Sequence, residues 1–207
     1  MNNSFEELTV VTRNKAQRAV KTLEKAFETY PLLKYYYPEK PIREKVTNYF
    51  LSFVVYSGIK YGEVFGTSPN FEGVVVWLPS QNYPLTFWKI LRTVPISKIF
   101  NFGRYGGSKM TNFINHLDTV HKDMTPFKHL FLQTIGVAPK FQDKGFGKRL
   151  IQPMLQRLDD EKIPCYLETI DEKNVAFYQR FGFEIIDKSN IPETNFVNWA
   201  MLRTDKG

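Results

Sequence analysis

The 207-residue sequence is poor in cysteine and contains no long apolar run. The single cysteine, Cys165, excludes an intramolecular disulfide and a cysteine-rich metal site. The most apolar stretch, residues 49–59, is too short to cross a bilayer. Residues 1–11 contain two glutamates and no apolar core, so no secretory signal is predicted. These absences predict a cytoplasmic protein that has no membrane partner.

Histidine is also scarce, and the spacing of the three histidines does not match a metal-binding motif. His116, His121 and His129 are dispersed, and no His-Glu-x-x-His pattern occurs. We therefore predict that the protein binds no metal.

The composition predicts one folded domain, and the charge predicts an anionic partner. Apolar residues make up 43% and charged residues 24%, which is typical of a globular protein, and the length predicts one domain over residues 1–207. Lys and Arg number 28 against 21 for Asp and Glu, which leaves a net charge of +7. Nucleic acid, an anionic membrane or an anionic ligand would fit this charge. No nucleic-acid motif occurs and the basic residues are spread along the chain, which disfavours nucleic acid.

Hydrophobic periodicity predicts a mixed α/β chain. The first third is predicted to form two helices, one ending at Pro31 and one running from Pro41 to about Lys60, with an aromatic-rich loop at 30–38 between them. A strand pair follows at 63–65 and 74–78. Residues 80–126 are predicted to be a helical insertion, and residues 130–203 have the order β-α-β-α-β-β.

Two glycines mark the segment most suited to ligand binding. Gly145 and Gly147 stand between a buried strand at 130–137 and an amphipathic helix at 145–161. The free N–H groups and the dipole of a helix start favour an anion such as phosphate, and Lys144, Lys148 and Arg149 add positive charge. A plain helix start with glycines for close packing is the alternative. The segment lacks the endings typical of ATP-binding and NAD-binding loops, which disfavours both ligands.

A second cluster downstream completes a family pattern. Gln142-x-x-Gly145-x-Gly147, followed by Asn174 and by Phe177-Tyr178-x-x-x-Gly182-Phe183, resembles the GNAT superfamily of acyl-CoA-dependent N-acetyltransferases. The resemblance covers residues 130–188 well. Trp77-Leu78-Pro79, Gln152-Pro153 and residues 166–169 are also similar to the subgroup that contains puromycin N-acetyltransferase. The resemblance implies a GNAT-like α/β fold, in which helices flank a mostly antiparallel central sheet.

The resemblance also implies acetyl-CoA as co-substrate and a set of residues that bind it. The backbone at the end of the central strand would pair with the pantetheine arm, and Asn174 would bond it from the other side. The loop amides would hold the pyrophosphate. These implied backbone and loop residues are Ile135, Gly136, Val137, Gln142, Asp143, Lys144, Gly145, Phe146, Gly147 and Lys148.

Two side chains are implied in catalysis. Tyr178 would protonate the leaving thiolate, although its helical spacing with Val175 and Phe181 also fits a core aromatic. An acceptor amine must lose a proton before it attacks, and Glu168 is the first candidate base because it lies in a strand next to the expected cleft. A strand-end carboxylate paired with a nearby Lys or Arg is the alternative interpretation of Glu168. Glu63 and Glu72 are the alternatives.

The implied function is acetyl transfer to a primary amine of a small molecule, by direct attack on the thioester. Tyr35, Tyr36 and Trp77 are candidates for lining the acceptor pocket, with helix packing as the alternative. A GNAT fold that senses acyl-CoA without turnover, a nucleic-acid-binding protein and a transferase of longer acyl groups are the competing interpretations. The sequence predicts no oligomeric state.

Overall fold

The computed structural model describes Phe5 and residues 7–204. The outermost ends of the predicted domain, residues 1–4, 6 and 205–207, lie outside the described residues. The prediction that residues 1–11 contain no secretory signal therefore falls partly outside the described residues. Of the helices in the described residues, none is long and apolar enough to cross a membrane.

A seven-stranded sheet forms the centre of the molecule. The strand order is β1-β2-β3-β4-β5-β7-β6, and every neighbouring pair is antiparallel except β4 and β5. The strands are β1 Thr9–Val10, β2 Glu63–Gly66, β3 Gly73–Pro79, β4 Leu130–Val137, β5 Cys165–Thr169, β6 Glu184–Asn190 and β7 Val197–Arg203. The predicted mixed α/β class with a mostly antiparallel sheet is confirmed.

Helices cover both faces of this sheet. They are α1 Ala16–Phe27, α2 Pro31–Tyr36, α3 Lys40–Tyr61, α4 Phe87–Leu91, α5 Ile96–Arg104, α6 Thr111–Met124, α7 Phe146–Glu161 and α8 Glu172–Gln179. On one face, α1 and α3 bury a cluster with Val74 and Val76 of β3. On the other, α7 and α8 pack on Val75 and Trp77 of the same strand. The alternation of side chains along β3 therefore builds both cores.

The aromatic-rich segment at 30–38 differs from the prediction. It is not a loop throughout, because α1 already ends at Phe27 and Pro31 begins the short helix α2. A proline is tolerated in the first turn of a helix, where its missing N–H would have no partner anyway. The two-residue strand β1 was not predicted, because so short a strand has no periodicity to detect.

The segment between β3 and β4 is helical, as predicted. It contains α4, α5 and α6, and α6 packs against β6 and β7. Its status as an insertion in a single domain stays a prediction.

Candidate active site

The site begins where two central strands diverge. β4 and β5 are paired only at Leu130–Cys165 and Phe131–Tyr166, within the described residues. Beyond this point β4 stays paired with β3 as far as Val137, while β5 stays paired with β7 as far as Thr169. The facing edges of β4 and β5 thus separate toward their carboxyl ends and leave a gap in the middle of the sheet.

A β-bulge in β4 lies beside this gap. Val76 of β3 is opposite Thr134, but the next residue, Trp77, is opposite Leu132, so Gln133 is the extra residue. A bulge bends its strand and redirects the side chain at that point. The Oε1 atom of Gln133 is buried and has no hydrogen-bond partner within the described residues.

A cavity of about 190 Å³ occupies the gap. Phe131 to Ile135 of β4 line one side, and residues 168–170 at the end of β5 line the other. Helices from both faces of the sheet also reach it, including Phe27 at the end of α1 and Tyr178 of α8. Both side chains predicted to be catalytic, Glu168 and Tyr178, therefore line one cavity.

Two hydrogen bonds hold the carboxylate of Glu168. Its Oε1 atom accepts from the Tyr166 hydroxyl at 2.9 Å and from Nδ2 of Asn198 at 3.2 Å. Burial raises the pKa of Glu168 to about 8, while these two hydrogen bonds lower it and the charges of Asp118 and Asp187 raise it further. A carboxylate with a pKa near neutrality is suited to take a proton from an ammonium group.

Tyr178 lies in the same cavity with only 6% of its surface exposed. Burial raises its pKa above the ordinary value for tyrosine, and the nearby Cys165 raises it further. Tyr30, the N-cap residue of α2, also lines the cavity, and its pKa is raised by burial and then by the charge of Tyr178. Both hydroxyls are therefore protonated at neutral pH and available as donors.

The start of α7 has the geometry of an anion-binding turn. Gly145, the N-cap residue, has a φ of 80°, and an added Cβ would meet nothing within 4 Å. Glycine is thus required by the backbone conformation and not by crowding. The first turn leaves the N–H groups of Phe146, Gly147 and Lys148 without intrahelical partners, as in any helix. Nε2 of Gln142 donates to the Val137 carbonyl at 3.0 Å and ties this turn to the end of β4.

The turn and the cavity are connected through α8. An added Cβ on Gly147 would lie 3.3 Å from the Phe177 ring, so α8 packs closely on the start of α7. Asn174 of α8 lines the cavity, and its Nδ2 donates to Thr169 Oγ1 at 3.4 Å. Ile135 lines the cavity as well, while Gly136 faces α1, where a Cβ would come within 2.8 Å of Ala26.

The two alternative bases lie outside the cavity. Glu63 forms a two-pronged ion pair with Arg157, with Nη1 to Oε2 at 3.1 Å. Glu72 accepts from Thr67 and Ser68, both at 2.7 Å. The pKa of Glu72 is lowered despite its partial burial, because these hydrogen bonds favour the charged form. Neither carboxylate lines the gap between β4 and β5.

The aromatic residues predicted to line the acceptor pocket also lie outside this cavity. Trp77 is fully buried in the core beneath α7. The side chain of Tyr35 is exposed and donates to the Glu193 carbonyl at 2.7 Å. Tyr36 packs in the cluster around α2 and α6. The surroundings of Trp77 and Tyr36 match the alternative interpretation, in which these side chains serve packing.

Sequence reasoning missed several cavity residues. Gln133, Asn198 and Tyr30 carry no motif. The bulge places Gln133 at the cavity, the strand register places Asn198 beside Glu168, and Tyr30 reaches the cavity from the segment between α1 and α2. It also missed a buried histidine pair, in which Nε2 of His121 lies 2.8 Å from Nε2 of His129. The two histidines, which belong to no shared motif, meet because the end of α6 lies against the start of β4.

The sequence is similar to known acetyltransferases over the segment that contains Glu168 and Tyr178. Residues 106–183 match the model of the acetyltransferase (GNAT) family. Within these residues the chain is similar to the GNAT acetyltransferases. The chain is 28% identical over 174 residues to an uncharacterized N-acetyltransferase of Schizosaccharomyces pombe, covering 81% of this chain and 70% of the relative.

Solved structures of acetyltransferases have the same fold. A histone acetyltransferase HPA2 and related acetyltransferase from Corynebacterium glutamicum superposes with a TM-score of 0.63 at 17% identity, covering 97% of this chain and 96% of that one. An agmatine N-acetyltransferase gives a TM-score of 0.64 at 17% identity, covering 95% and 98%. The GNAT family uses acetyl-CoA as co-substrate, and acetyl transfer to an amine is its general reaction. Within the described residues, no three His, Cys, Asp or Glu side chains are grouped as a metal ion would need.

Proposed function

We propose that this acetyltransferase transfers the acetyl group of acetyl-CoA to a primary amine of a small molecule, in the cavity between β4 and β5. One observation carries the proposal: Glu168 and Tyr178, an acceptor and a donor of protons, line the same partly apolar cavity. The agmatine N-acetyltransferase structure shares the fold of this chain.

Acetyl-CoA would bind along the free edge of β4 and the start of α7. Ile135, Gly136 and Val137 would offer backbone groups to the pantetheine arm, with Asn174 opposite. The amides of residues 142–148 would face the pyrophosphate, and Lys144 and Lys148 would add charge, since both side chains are exposed at this end. The open space around Gly145 supports this assignment, because a diphosphate needs close approach to the backbone.

The chemistry would start with removal of a proton from the bound ammonium group. The Glu168 carboxylate takes this proton, and the neutral amine attacks the thioester carbonyl carbon to form a tetrahedral intermediate. The Val137 amide would stabilise the oxyanion. When the C–S bond breaks, Tyr178 protonates the thiolate and recovers a proton from the amide nitrogen. Glu168 then releases its proton to solvent, which balances the reaction.

A thiol-release assay with acetyl-CoA and a panel of amines tests this function. The panel should include puromycin, because the subgroup resemblance points to that acceptor. Stoichiometric formation of CoA and of the acetylated amine is expected. Tight binding of acetyl-CoA without CoA release from any amine would contradict the proposal and would favour the alternative of an acyl-CoA sensor.

A further inference from the structure

Two buried amide oxygens of the side chains that line the cavity have no hydrogen-bond partner in the described residues. Asn198 is fully buried. Its Nδ2 donates to Glu168, while its Oδ1 is buried without a hydrogen-bond partner in the described residues. The Oε1 atom of Gln133, the bulge residue, is also buried without a hydrogen-bond partner in the described residues. Both residues line the cavity together with Glu168. Unpaired buried oxygens of this kind are costly unless a ligand supplies donors.

An ammonium group matches this set of acceptors. It carries three N–H donors and no acceptor, and Glu168, Asn198 and Gln133 offer one carboxylate and two amide oxygens. Binding an ammonium beside Glu168 would also favour the charged carboxylate and lower its raised pKa, which prepares the proton transfer.

The rest of the cavity would not accept a second positive charge. Among the described residues that line it, Glu168 is the one carboxylate, and none is Lys, Arg or His. The walls are instead formed by apolar and aromatic side chains such as Phe27, Phe113 and Leu117. An unpaired cation against such walls would lose its hydration without compensation.

We propose that the acceptor is a primary amine with a single positive charge and an apolar or aromatic body, and that diamines and polyamines are poor substrates. This inference rests on the proposed function, because it assigns the cavity to the acceptor amine. A polyamine transferase would need a second carboxylate in its acceptor site, to pair with the second positive charge of the substrate.

The test compares substrates that differ only in the second charge. Hexylamine and 1,6-diaminohexane have the same chain length, and kcat/KM is measured by thiol release for each. Hexylamine is expected to be at least tenfold better. Equal or better use of 1,6-diaminohexane by the wild-type protein would overturn the inference while leaving the acetyltransferase function intact.

A variant tests the role of the bulge residue. Gln133→Glu keeps the side-chain length and adds a carboxylate to the cavity, so the preference for hexylamine over 1,6-diaminohexane should shrink severalfold. Gln17→Glu makes the same charge change at an exposed position of α1 and should leave the ratio unmoved. An equal ratio in both variants would contradict the placement of Gln133 beside the acceptor. Thermal unfolding of each variant shows whether it is folded.

Binding separates the two proposals if no amine is turned over. The shift in Tm caused by hexylamine, with acetyl-CoA present, should exceed the shift caused by 1,6-diaminohexane at the same concentration. This preference without CoA release would overturn the proposed function and retain the inference about the cavity. A larger shift with the diamine, or equal shifts, would overturn the inference itself.

Discussion

The environment of single residues divides the proposed acid and base roles between Glu168 and Tyr178. Burial raises the pKa of both groups, which makes Glu168 a base near neutral pH and keeps Tyr178 an acid. Glu168 reaches a value of about 8, close to working pH, and can exchange a proton with an amine. The raised pKa keeps Tyr178 protonated, so its hydroxyl must donate a proton before it can accept one. The cavity thus contains one group that exchanges a proton near neutral pH and one that stays protonated, which suits acyl transfer to an amine.

Replacement of Tyr178 by Phe tests the donor role. The ring packs against Phe177 and Phe183, and these contacts survive loss of the hydroxyl. We expect kcat to fall by about 10²-fold or more, as for loss of a positioned general acid. The KM for acetyl-CoA should change little. An unchanged kcat would contradict the role of the hydroxyl as acid.

The hydrogen bond from Tyr166 to Glu168 gives a prediction about pH dependence. This bond favours the charged carboxylate, so Tyr166→Phe should raise the pKa of Glu168 further. If Glu168 is the base, the rising limb of kcat/KM against pH should move to higher pH. Tyr56→Phe, on α3 and away from the cavity, should leave the limb in place. A shift in both variants or in neither would argue against Glu168.

Stability provides a second measurement of the same residue. The folded pKa of Glu168 lies above its ordinary value of 4.5, so the folded state retains the proton over a range where the unfolded state has lost it. Its contribution to the free energy of unfolding is complete below about pH 4.5 and is lost as pH rises through about 8. The stability of the wild type relative to Glu168→Gln should therefore decrease between pH 5 and pH 9 in urea titrations. A relative stability that increases with pH would contradict the raised pKa.

At the scale of elements, the site depends on how β4 ends and α7 begins. The free edge of β4 leads from the bulge at Gln133 to Val137, and the side chain of Gln142 links that carbonyl to the turn before α7. Gly145 then adopts its positive φ to direct the chain into the helix. This connection positions the first helical turn relative to the cavity.

Gly145→Ala tests the conformation of this turn. No atom crowds the position, so the effect comes from backbone strain alone, about 1–2 kcal/mol for a residue with a Cβ at positive φ. If acetyl-CoA binding requires this conformation, the Kd should rise by about 5–30-fold. Gly103→Ala, where the glycine lies within α5 and is equally uncrowded, is the matched control and should not change the Kd. Unchanged affinity in Gly145→Ala would argue against a diphosphate at this turn.

Much of the fold could be predicted at this scale because periodicity is a local property. α7 was bounded within one residue, since its apolar face repeats and Gly145 marks its start. The extent of β6, which ends at Asn190, is harder to predict, because the strand lies at the sheet edge and its polar residues carry no burial signal. Glu168 and Tyr178 could be selected only through the family pattern, since spacing alone fits a paired carboxylate and a core aromatic.

The cavity itself could not be predicted, because it depends on contacts distant in sequence. Asn198 reaches Glu168 from β7, 30 residues away, and Gln133 is directed by a bulge that leaves no mark in the sequence. Of the aromatic residues predicted as pocket walls, Trp77 is buried in the core, Tyr36 packs near α2 and Tyr35 is exposed. Phe27 and Phe113 line the cavity instead.

At the scale of the whole molecule, side chains from both hydrophobic cores line the gap between β4 and β5. One core lies under α1 and α3, the other under α7 and α8, and the sheet separates them except where the two strands diverge. The proposed sites for acetyl-CoA and acceptor meet in this gap. The net charge of +7 suits the several negative charges of CoA, with Lys144, Lys148 and Arg149 near the proposed diphosphate position.

The most direct test of this arrangement is a crystal structure of the protein with acetyl-CoA. The account predicts the pyrophosphate against the amides of residues 146–148 and the thioester between β4 and β5, with its sulfur within hydrogen-bond reach of the Tyr178 hydroxyl. Glu168 should face the acetyl carbonyl carbon across the cavity. A thioester bound away from Tyr178, or outside the gap between β4 and β5, would contradict the account.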